Sequence, residues 1–263
     1  MLIFLKLGGS LITDKTIPYT PRLKMLDGLA GQIARALRES PELRLIVGHG
    51  SGSFGHEAAN KYSTRKGVSG RGAWKGFAEV WYQASALNRL VVESFRRSQV
   101  PVVTLAPFSA ITARDGKIIA WDLNPLKASM ANGLLPIIHG DVVFDEVRGG
   151  TILSTEDLFS HLAHQLHPKR ILLAGLEEGV WKDFPTRTQL LREITPRTFS
   201  EQSPGLGRGA GADVTGGMQT KVIEMLSLVD QIPDLEVLIF SGEKSDNILH
   251  ALMGENLGTR LHC

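Results

Sequence analysis

Cysteine is nearly absent from the chain, since the single cysteine among 263 residues is Cys263. A disulfide framework or a cysteine-based zinc site needs at least two such side chains, so neither can form within one chain. Long apolar runs are missing too. No stretch approaches the roughly 20 consecutive apolar residues that a membrane-spanning helix needs. The sequence therefore predicts no membrane partner.

An excess of one charge sign is also lacking. The chain has 29 Lys and Arg against 27 Asp and Glu, which gives a formal net charge of +2. Without a global basic field, binding to nucleic acid is not expected. Residues 1–6 place no basic leader before an apolar run, unlike an export signal. Together with the lone cysteine, this predicts a cytoplasmic protein.

Glycine is the residue in excess. There are 28 glycines in 263 residues, against a typical share of about 7%. Hydrophobic residues make up 43% and charged residues 21%, proportions typical of a globular domain and not of a disordered chain. The 12 prolines are an ordinary number, so low complexity does not explain the glycines. We expect local roles for them.

Short apolar runs alternate with longer segments of helical periodicity. The runs lack apolar–polar alternation, which is typical of parallel strands buried on both faces. This order predicts an α/β fold with a doubly wound, mainly parallel central sheet flanked by helices. The predicted strands are residues 2–7, 43–47, 100–105, 134–138, 171–174 and 235–240, and the predicted helices include residues 23–37, 74–95, 124–131, 157–166 and 218–229.

Glycine clusters follow the first two predicted strands, and a third opens the last long helix. They are residues 6–10 (KLGGS), 48–56 (GHGSGSFGH) and 213–221 (DVTGGMQTK). Glycine lets backbone N–H groups approach an anion without a Cβ in the way. A following helix adds unpaired N–H donors and the positive end of its dipole. The ends of parallel strands are also where α/β folds bind ligands.

Lysines accompany these clusters. Lys6 and Lys221 flank the first and third clusters, and Lys15 lies just beyond the first. Anion cradles with lysines favour phosphoryl transfer, in which positioning and charge stabilisation do most of the catalysis. The P-loop pattern and the dinucleotide spacing are both missing. A single glycine pair is usually only a tight turn, so the residues alone favour a phosphate-handling enzyme without specifying which.

The glycine clusters, together with residues 139–143 (HGDVV), resemble the amino acid kinase superfamily, and within it the isopentenyl phosphate kinase family. The similarity covers nearly the full chain with the motifs in the right order. The pair Gly55-His56 is the most discriminating element, because superfamily members that act on amino acids have no histidine there. The resemblance implies an αβα sandwich, a homodimer, and transfer of a phosphoryl group from ATP to isopentenyl phosphate with Mg²⁺.

The resemblance also implies catalytic roles. Lys6 would contact the transferring phosphoryl group, Lys15 would stabilise its developing charge, and Lys221 would hold the ATP phosphates. Asp157 matches the acidic residue that positions catalytic lysines, and His56 would hydrogen-bond the acceptor phosphate. An acceptor phosphate needs no strong base, but it needs relief from repulsion as two anions approach, which lysines provide. No resident metal ligand is implied.

Binding roles follow in the same way. ATP would contact the glycine clusters, and the acceptor would contact the second cluster and one face of the helix after it. In that helix Phe77, Trp81 and Ala84 share a face at i, i+4 and i+7, a pattern that core packing also produces. The implied nucleotide-binding residues are Lys6, Gly8, Gly9, Ser10, Gly52, Gly216, Gly217 and Lys221, and the implied substrate-binding residues are Ser51, Gly52, Gly55, His56, Thr155, Phe77 and Trp81.

The least regular stretch, residues 177–213, suggests a division near residue 175. Residues 1–175 would then form the acceptor-binding and dimerisation lobe, and residues 176–263 the nucleotide-binding lobe, on one continuous sheet. Two departures from the family pattern fall near this point. Leu176 replaces an acid, which bears on nucleotide affinity, and Thr155 stands where glycine is common, which would narrow the pocket.

Two alternatives stay open. One is a related kinase that acts on a phosphonate or an acylated amino acid, although a carboxylate acceptor would typically recruit arginine rather than His56. The other is a non-catalytic member of the fold that binds an oxyanion or a nucleotide. A pure binder has no need of Lys6, Lys15, Lys221 and Asp157 together, which favours the enzyme.

Overall fold

The computed structural model describes residues 1–202 and 217–263, with the backbone but not the side chains of His56 and residues 200–202. The predicted residues 213–216, Gly216 included, therefore lie outside the described part of the chain. So do residues 205–211 of the glycine-rich run.

Strands occupy both halves of the chain. The predicted strands are all present, with ends that differ by one or two residues. The strands are β1 Leu2–Leu7, β2 Thr13–Asp14, β3 Thr20–Pro21, β4 Arg44–His49, β5 Val102–Thr104, β6 Ile111–Arg114, β7 Lys117–Trp121, β8 Leu135–His139, β9 Asp141–Asp145, β10 Gly149–Leu153, β11 Arg170–Gly175, β12 Val180–Trp181, β13 Leu190–Leu191, β14 Glu193–Ile194, β15 Glu236–Ser241 and β16 Thr259–Leu261.

Helices connect most of the central strands. A short 3₁₀ turn, residues Thr64–Lys66, also links the third and fourth helices. The helices are α1 Gly9–Ile12, α2 Leu23–Glu39, α3 Gly52–Tyr62, α4 Gly70–Arg97, α5 Pro107–Ala110, α6 Asn124–Ala131, α7 Thr155–Leu166, α8 Pro196–Gln202, α9 Gly217–Gln231 and α10 Asn247–Leu252. Of the helices in residues 1–202 and 217–263, none is both long and apolar enough to span a bilayer.

The central sheet has eight strands in the order β14-β16-β15-β11-β1-β4-β8-β5. Its pairings are parallel except for β15 with β16. The chain moves outward from β1 in both directions, first to β4 and later to β11, so the strand order reverses beside β1. Such a switch point opens a crevice at the carboxyl ends of the strands. The predicted α/β fold is confirmed, and the sheet continues across residue 175.

Helices cover both faces of this sheet. Leu5 of β1 belongs to a core shared with α2 and α4, which contribute Leu29 and Val91. Its neighbour Phe4 belongs to the opposite core, shared with α7 and α9, and its ring centroid lies 5.1 Å from that of Phe159. Successive side chains of a strand point to opposite faces. The continuous apolar character of β1 is therefore explained by a helix layer on each side.

A second sheet was not predicted. It has four strands in the order β10-β9-β6-β7, and β6 and β7 form a hairpin around Asp115 and Gly116. Both of these residues have positive φ, at 50° and 78°, as a two-residue type I′ turn requires. The small sheet packs over α4 through a third core that contains Phe77 and Val142. It forms one side of the cleft described next.

Candidate active site

A cleft of about 560 Å³ lies at the carboxyl ends of β1, β4 and β11, where the strand order reverses. Loops from both halves of the chain line it. The first two glycine clusters form its floor, α3 and α4 form one wall, and residues 173–177 with α9 form the other. The fold thus gathers the predicted phosphate-binding segments at one edge of the sheet.

The two glycine loops cross in close contact. A Cβ on Gly9 would lie 2.5 Å from the backbone nitrogen of Gly52, and a Cβ on Gly50 would lie 2.9 Å from that of Gly9. Gly52 also has φ of +49°, a conformation that side chains rarely adopt. These glycines are therefore required by the backbone packing of the floor.

Thr13 links the two loops, and it was not predicted from the sequence. Its buried hydroxyl donates to the Gly9 carbonyl oxygen at 2.7 Å and accepts from the Ser53 N–H at 2.9 Å. One hydroxyl can donate and accept at once, which suits a link between two backbones. No motif marks this residue, because its role depends on a contact across 40 positions of sequence.

Lys6 and Glu156 form an ion pair at the centre of the cleft. Their side chains are only 11% and 12% exposed. Burial opposes ionisation of Glu156, but the charges of Lys6 and Lys221 and the hydrogen bond from Lys6 outweigh it and hold the pKa of Glu156 well below its usual range. A buried lysine needs such a partner. The partner of Lys6 is thus an acid that the sequence did not single out.

The acid in contact with Lys6 is Glu156 and not its neighbour Asp157, so a positioning role of Asp157 would not act through direct contact with Lys6. Asp157 occupies the third position of α7, where its carboxylate accepts from the N–H and the hydroxyl of Ser154, both at 2.7 Å. The Ser154 hydroxyl in turn accepts from the Asp157 N–H at 3.1 Å. This is a reciprocal capping box. Asp157 also contacts Arg65, at 3.3 Å.

Lys15 and Lys221 line the same cleft as Lys6. Lys15 is exposed on the segment after the first glycine loop, and Lys221 is the fifth residue of α9. A cation near a helix N-terminus is mildly unfavourable, but Glu156 lies close enough to Lys221 for the charge of the lysine to lower the pKa of Glu156. The structure brings the three predicted lysines to one cavity.

The predicted loop residues line the cleft as well. Gly8 is anchored by its N–H, which donates to the Ala174 carbonyl at 2.8 Å. Six of the predicted residues in the two glycine loops line the cavity. They are Gly8, Gly9, Ser10, Ser51, Gly52 and Gly55.

Phe77 and Trp81, predicted to contact the acceptor, are not among the described residues that line the cleft. Phe77 is buried among aromatic rings, including Phe108 at 6.1 Å, and Trp81 is 39% exposed. The cleft wall is formed instead by Val80 and Ala84. Ala84 belongs to the predicted stripe, and Val80 lies on the same side of α4, since positions 77, 80 and 84 are spaced i, i+3 and i+7. The expected apolar lining is therefore present, with Val80 in place of Phe77 and Trp81.

Thr155 and Leu176, the two departures from the family pattern, both line the cleft. The Thr155 hydroxyl donates to the His49 carbonyl at 2.6 Å. Its methyl group occupies the space beside Gly48, where an added Cβ would lie only 2.4 Å away. Leu176 packs against the core beneath α2 and α4. Thr155 therefore forms part of the cleft wall while its methyl fills the space beside Gly48; that it narrows the pocket stays a prediction.

Two histidines and an aspartate lie buried behind the cleft floor. The rings of His49 and His139 stack with centroids 5.3 Å apart, and His139 Nε2 lies 3.6 Å from Asp141 Oδ2. Burial lowers the pKa of His139 to about 3 and raises the pKa of Asp141 to about 7. Burial is the main cause of both shifts, and it favours the neutral form of each group.

Further charged residues of the cleft carried no recognisable motif. Arg65, Lys66, Glu177 and Glu224 all line it. Partial burial and the charges of Asp157 and Glu156 raise the pKa of Glu224, although its side chain reaches the surface. No set of three or more His, Cys, Asp or Glu side chains in the described ranges is arranged to hold a metal ion.

The remaining predicted residues are only partly described. His56 lies in the second turn of α3, but its side chain is outside the described part. Gly217 begins α9 with φ of +67°. The cleft therefore combines backbone N–H groups from the glycine loops, several cationic side chains and an apolar wall. Such a site can bind two phosphate-bearing molecules side by side and offset their mutual repulsion.

The chain belongs to the amino acid kinase family, whose model matches residues 1–241. Relatives that it matches over nearly their full length are isopentenyl phosphate kinases. The enzyme from Methanocaldococcus jannaschii is 33% identical over 99% of this chain and 98% of its own, and that from Methanothermobacter thermautotrophicus is 31% identical with the same coverage.

A solved structure supports the same relationship. The X-ray structure of an isopentenyl phosphate kinase superposes with a TM-score of 0.83 at 29% sequence identity, covering 99% of this chain and 100% of the other. A substrate complex of an isopentenyl phosphate kinase superposes with a TM-score of 0.76 at 21% identity, which bears on the fold alone.

Proposed function

We propose that the chain transfers the γ-phosphoryl group of ATP to isopentenyl phosphate and so forms isopentenyl diphosphate and ADP. An oxygen of the acceptor phosphate attacks the γ-phosphorus, a new P–O bond forms, and the bond between the γ-phosphorus and the β,γ-bridging oxygen breaks. The observation that carries the proposal is the Lys6–Glu156 pair, set among crossed glycine loops and joined by Lys15 and Lys221.

The lysines divide the charge of the reaction between them. Lys6 would contact the moving phosphoryl group, since it lies between the two glycine loops at the end of β1. Lys221 would bind the ATP phosphates from the start of α9, and Lys15 would stabilise charge that develops at the leaving oxygen. An ammonium group is a compact charge on a flexible stem, so it can follow the phosphoryl group from donor to acceptor.

Glu156 is proposed to position Lys6, the role that we expected of Asp157. In the absence of substrate the carboxylate neutralises the lysine within the protein, which lowers the cost of burying that charge. Arrival of ATP would supply additional anionic oxygens in reach of the ammonium group.

The nucleotide is proposed to bind against Gly8, Gly9 and Ser10 and against Gly217 at the start of α9, together with Gly216. Mg²⁺ would enter with ATP as part of the substrate, because this ion commonly binds substrate phosphates and waters in preference to an all-protein cage. The residues 176–263 would then form the nucleotide lobe, and residues 1–175 the acceptor lobe.

The acceptor is proposed to bind beside Ser51, Gly52, Gly55 and His56, with its alkyl tail against Val80 and Ala84. A neutral imidazole can donate one hydrogen bond to a phosphate without fixing it as strongly as a permanent cation would. The two apolar side chains suit a short hydrocarbon chain. Homodimer formation and a cytoplasmic location complete the proposal, and neither depends on the reaction.

A coupled assay for ADP release tests the function. Purified protein is offered MgATP with isopentenyl phosphate, dimethylallyl phosphate, fosfomycin or N-acetylglutamate. We expect turnover with isopentenyl phosphate and little with the last two. Absence of turnover with either prenyl phosphate would overturn the proposal, and selective turnover of fosfomycin or N-acetylglutamate would identify one of the alternatives. In His56→Ala, acceptor KM should rise far more than ATP KM.

A further inference from the structure

Arg65 reaches the cleft from a fixed point on its wall. It lies in the 3₁₀ turn Thr64–Lys66. The buried Thr64 anchors that turn, and the Arg65 carbonyl accepts from the Thr151 hydroxyl at 3.0 Å. The backbone of Arg65 is therefore held between α3 and β10. Its side chain is 43% exposed and lines the cavity.

The contact between Arg65 and Asp157 is single and long. One guanidinium nitrogen lies 3.3 Å from Asp157 Oδ2, and the same oxygen already accepts from the Ser154 N–H and hydroxyl at 2.7 Å each. Arginine recognises a carboxylate best through two parallel hydrogen bonds. Asp157 is satisfied without Arg65, so the guanidinium can turn to another anion at little cost.

Arg65 belongs to the wall of the cleft that is proposed to hold the acceptor, and its charge also reaches Glu224 of α9. It follows α3 in the chain, and the lining residues Ala59 and Ser63 precede it on that wall. Its contact, Asp157, adjoins Glu156, which pairs with Lys6. Arg65 thus lies where the acceptor wall meets the central cation.

We propose that Arg65 binds the phosphate of the acceptor, exchanging its single contact with Asp157 for hydrogen bonds to two non-bridging phosphate oxygens. This rests on the proposed function and names one more substrate-binding residue of that site. The planar guanidinium fork matches the oxygen spacing of a phosphate, which an ammonium group does not. Together with Lys6, Arg65 would hold the acceptor dianion as it approaches the γ-phosphoryl group.

The test compares Arg65→Ala, Arg65→Lys and a matched control. Arg71→Ala removes the same charge from an exposed position at the start of α4. We expect Arg65→Ala to raise the KM for isopentenyl phosphate about 10- to 100-fold, the range for losing a charge-assisted hydrogen bond, with ATP KM unchanged. Arg65→Lys should recover part of this loss, and Arg71→Ala should match the wild type.

Three outcomes would overturn the assignment. The first is an unchanged acceptor KM in Arg65→Ala, in a protein that otherwise turns over isopentenyl phosphate. The second is an equal rise in the KM for ATP. The third is that Asp157→Asn reproduces Arg65→Ala in KM, kcat and melting temperature, which would assign Arg65 to supporting α7. A wild-type protein inactive on isopentenyl phosphate would overturn the proposed function, and the role of Arg65 with it.

Discussion

Glu156 and Asp157 are adjacent in the chain, yet their carboxylates pair with different cations. Glu156 contacts Lys6 inside the cleft, whereas Asp157 caps its own helix and contacts Arg65 near the opening. Successive residues of a helix are rotated by about 100° from one another. Because of this rotation, Glu156 forms a buried charge pair whereas Asp157 caps the helix. Replacing each acid should therefore have a different effect.

Replacement of these acids should therefore affect stability unequally. Glu156→Gln is expected to lower the free energy of unfolding by about 3–5 kcal/mol, because it leaves the Lys6 charge buried without its partner. Asp157→Asn should lower it by only about 1 kcal/mol, as for other helix caps. Urea denaturation of both variants measures the difference, and equal losses would contradict it. Saturating MgATP should recover part of the Glu156→Gln loss.

Loss of Lys15 should affect the reaction and not the fold. Its side chain is exposed and lines the cleft, so Lys15→Ala is expected to change stability by less than about 0.5 kcal/mol. The kcat should fall about 10²- to 10³-fold, the usual effect of removing one group that stabilises transition-state charge. Lys24→Ala, an exposed lysine on α2, is the matched control. A wild-type kcat in Lys15→Ala would remove Lys15 from the mechanism.

The apolar wall should set the fit of the acceptor. Ala84→Leu adds three carbons to a buried position that lines the cleft, and overpacking of this kind is expected to raise the KM for isopentenyl phosphate about 10-fold. The KM for ATP should not change. Ala78→Leu makes the same addition at an exposed position of α4 and serves as control. If both variants behave alike, the wall lies elsewhere.

Asp141 should make stability depend on pH. Its pKa rises from 3.8 to about 7 on burial, so between these values the folded state holds a proton that the unfolded chain has lost. Stability from this group therefore falls as pH rises and is lost once pH passes about 7. Asp141→Asn removes the effect, and its advantage over the wild type should be about 1–3 kcal/mol larger at pH 8 than at pH 5.

His139 acts in the opposite sense and must be considered in that measurement. Its pKa falls from 6.5 to about 3, so the unfolded chain binds the proton first and stability is lost as pH falls below 6.5. Asp141→Asn and the wild type both contain His139 and share this loss of stability, so it cancels when the two proteins are compared. Asp230→Asn, at an exposed position of α9, controls for the change of charge. A pH-independent difference for Asp141→Asn would contradict the prediction.

The sequence was sufficient for six of the eight strands of the central sheet, because strands covered by helices on both faces leave an unbroken apolar run. The short strands β14 and β16 at one end of the sheet were not predicted. It was also sufficient for the glycine loops, since their backbones must pass close together. The hairpin of β6 and β7 could have been predicted as well, since Asp115-Gly116 is a strong turn signal. It was overlooked because its strands are short and half-exposed.

The sequence alone could not give the rotation of each helix about its axis. A sequence places both acids in the first turn of α7, but which of them contacts Lys6 depends on how that helix is rotated. The rotation of α4 likewise decides that Ala84 of the predicted stripe lines the cleft together with Val80, whereas Phe77 does not. The role of Arg65 could not be predicted for another reason. A single cation in a short turn forms no sequence pattern, and its place beside the cleft is visible only in the folded structure.

The fit of Thr155 against Gly48 limits how this site can change by mutation. The threonine hydroxyl is held by the His49 carbonyl, so its methyl cannot swing away from the space where a side chain at position 48 would begin. An added Cβ at position 48 would also lie 2.8 Å from the Phe159 ring. A smaller residue at position 155 alone would therefore not make room for a side chain at position 48, and the three positions can change only together.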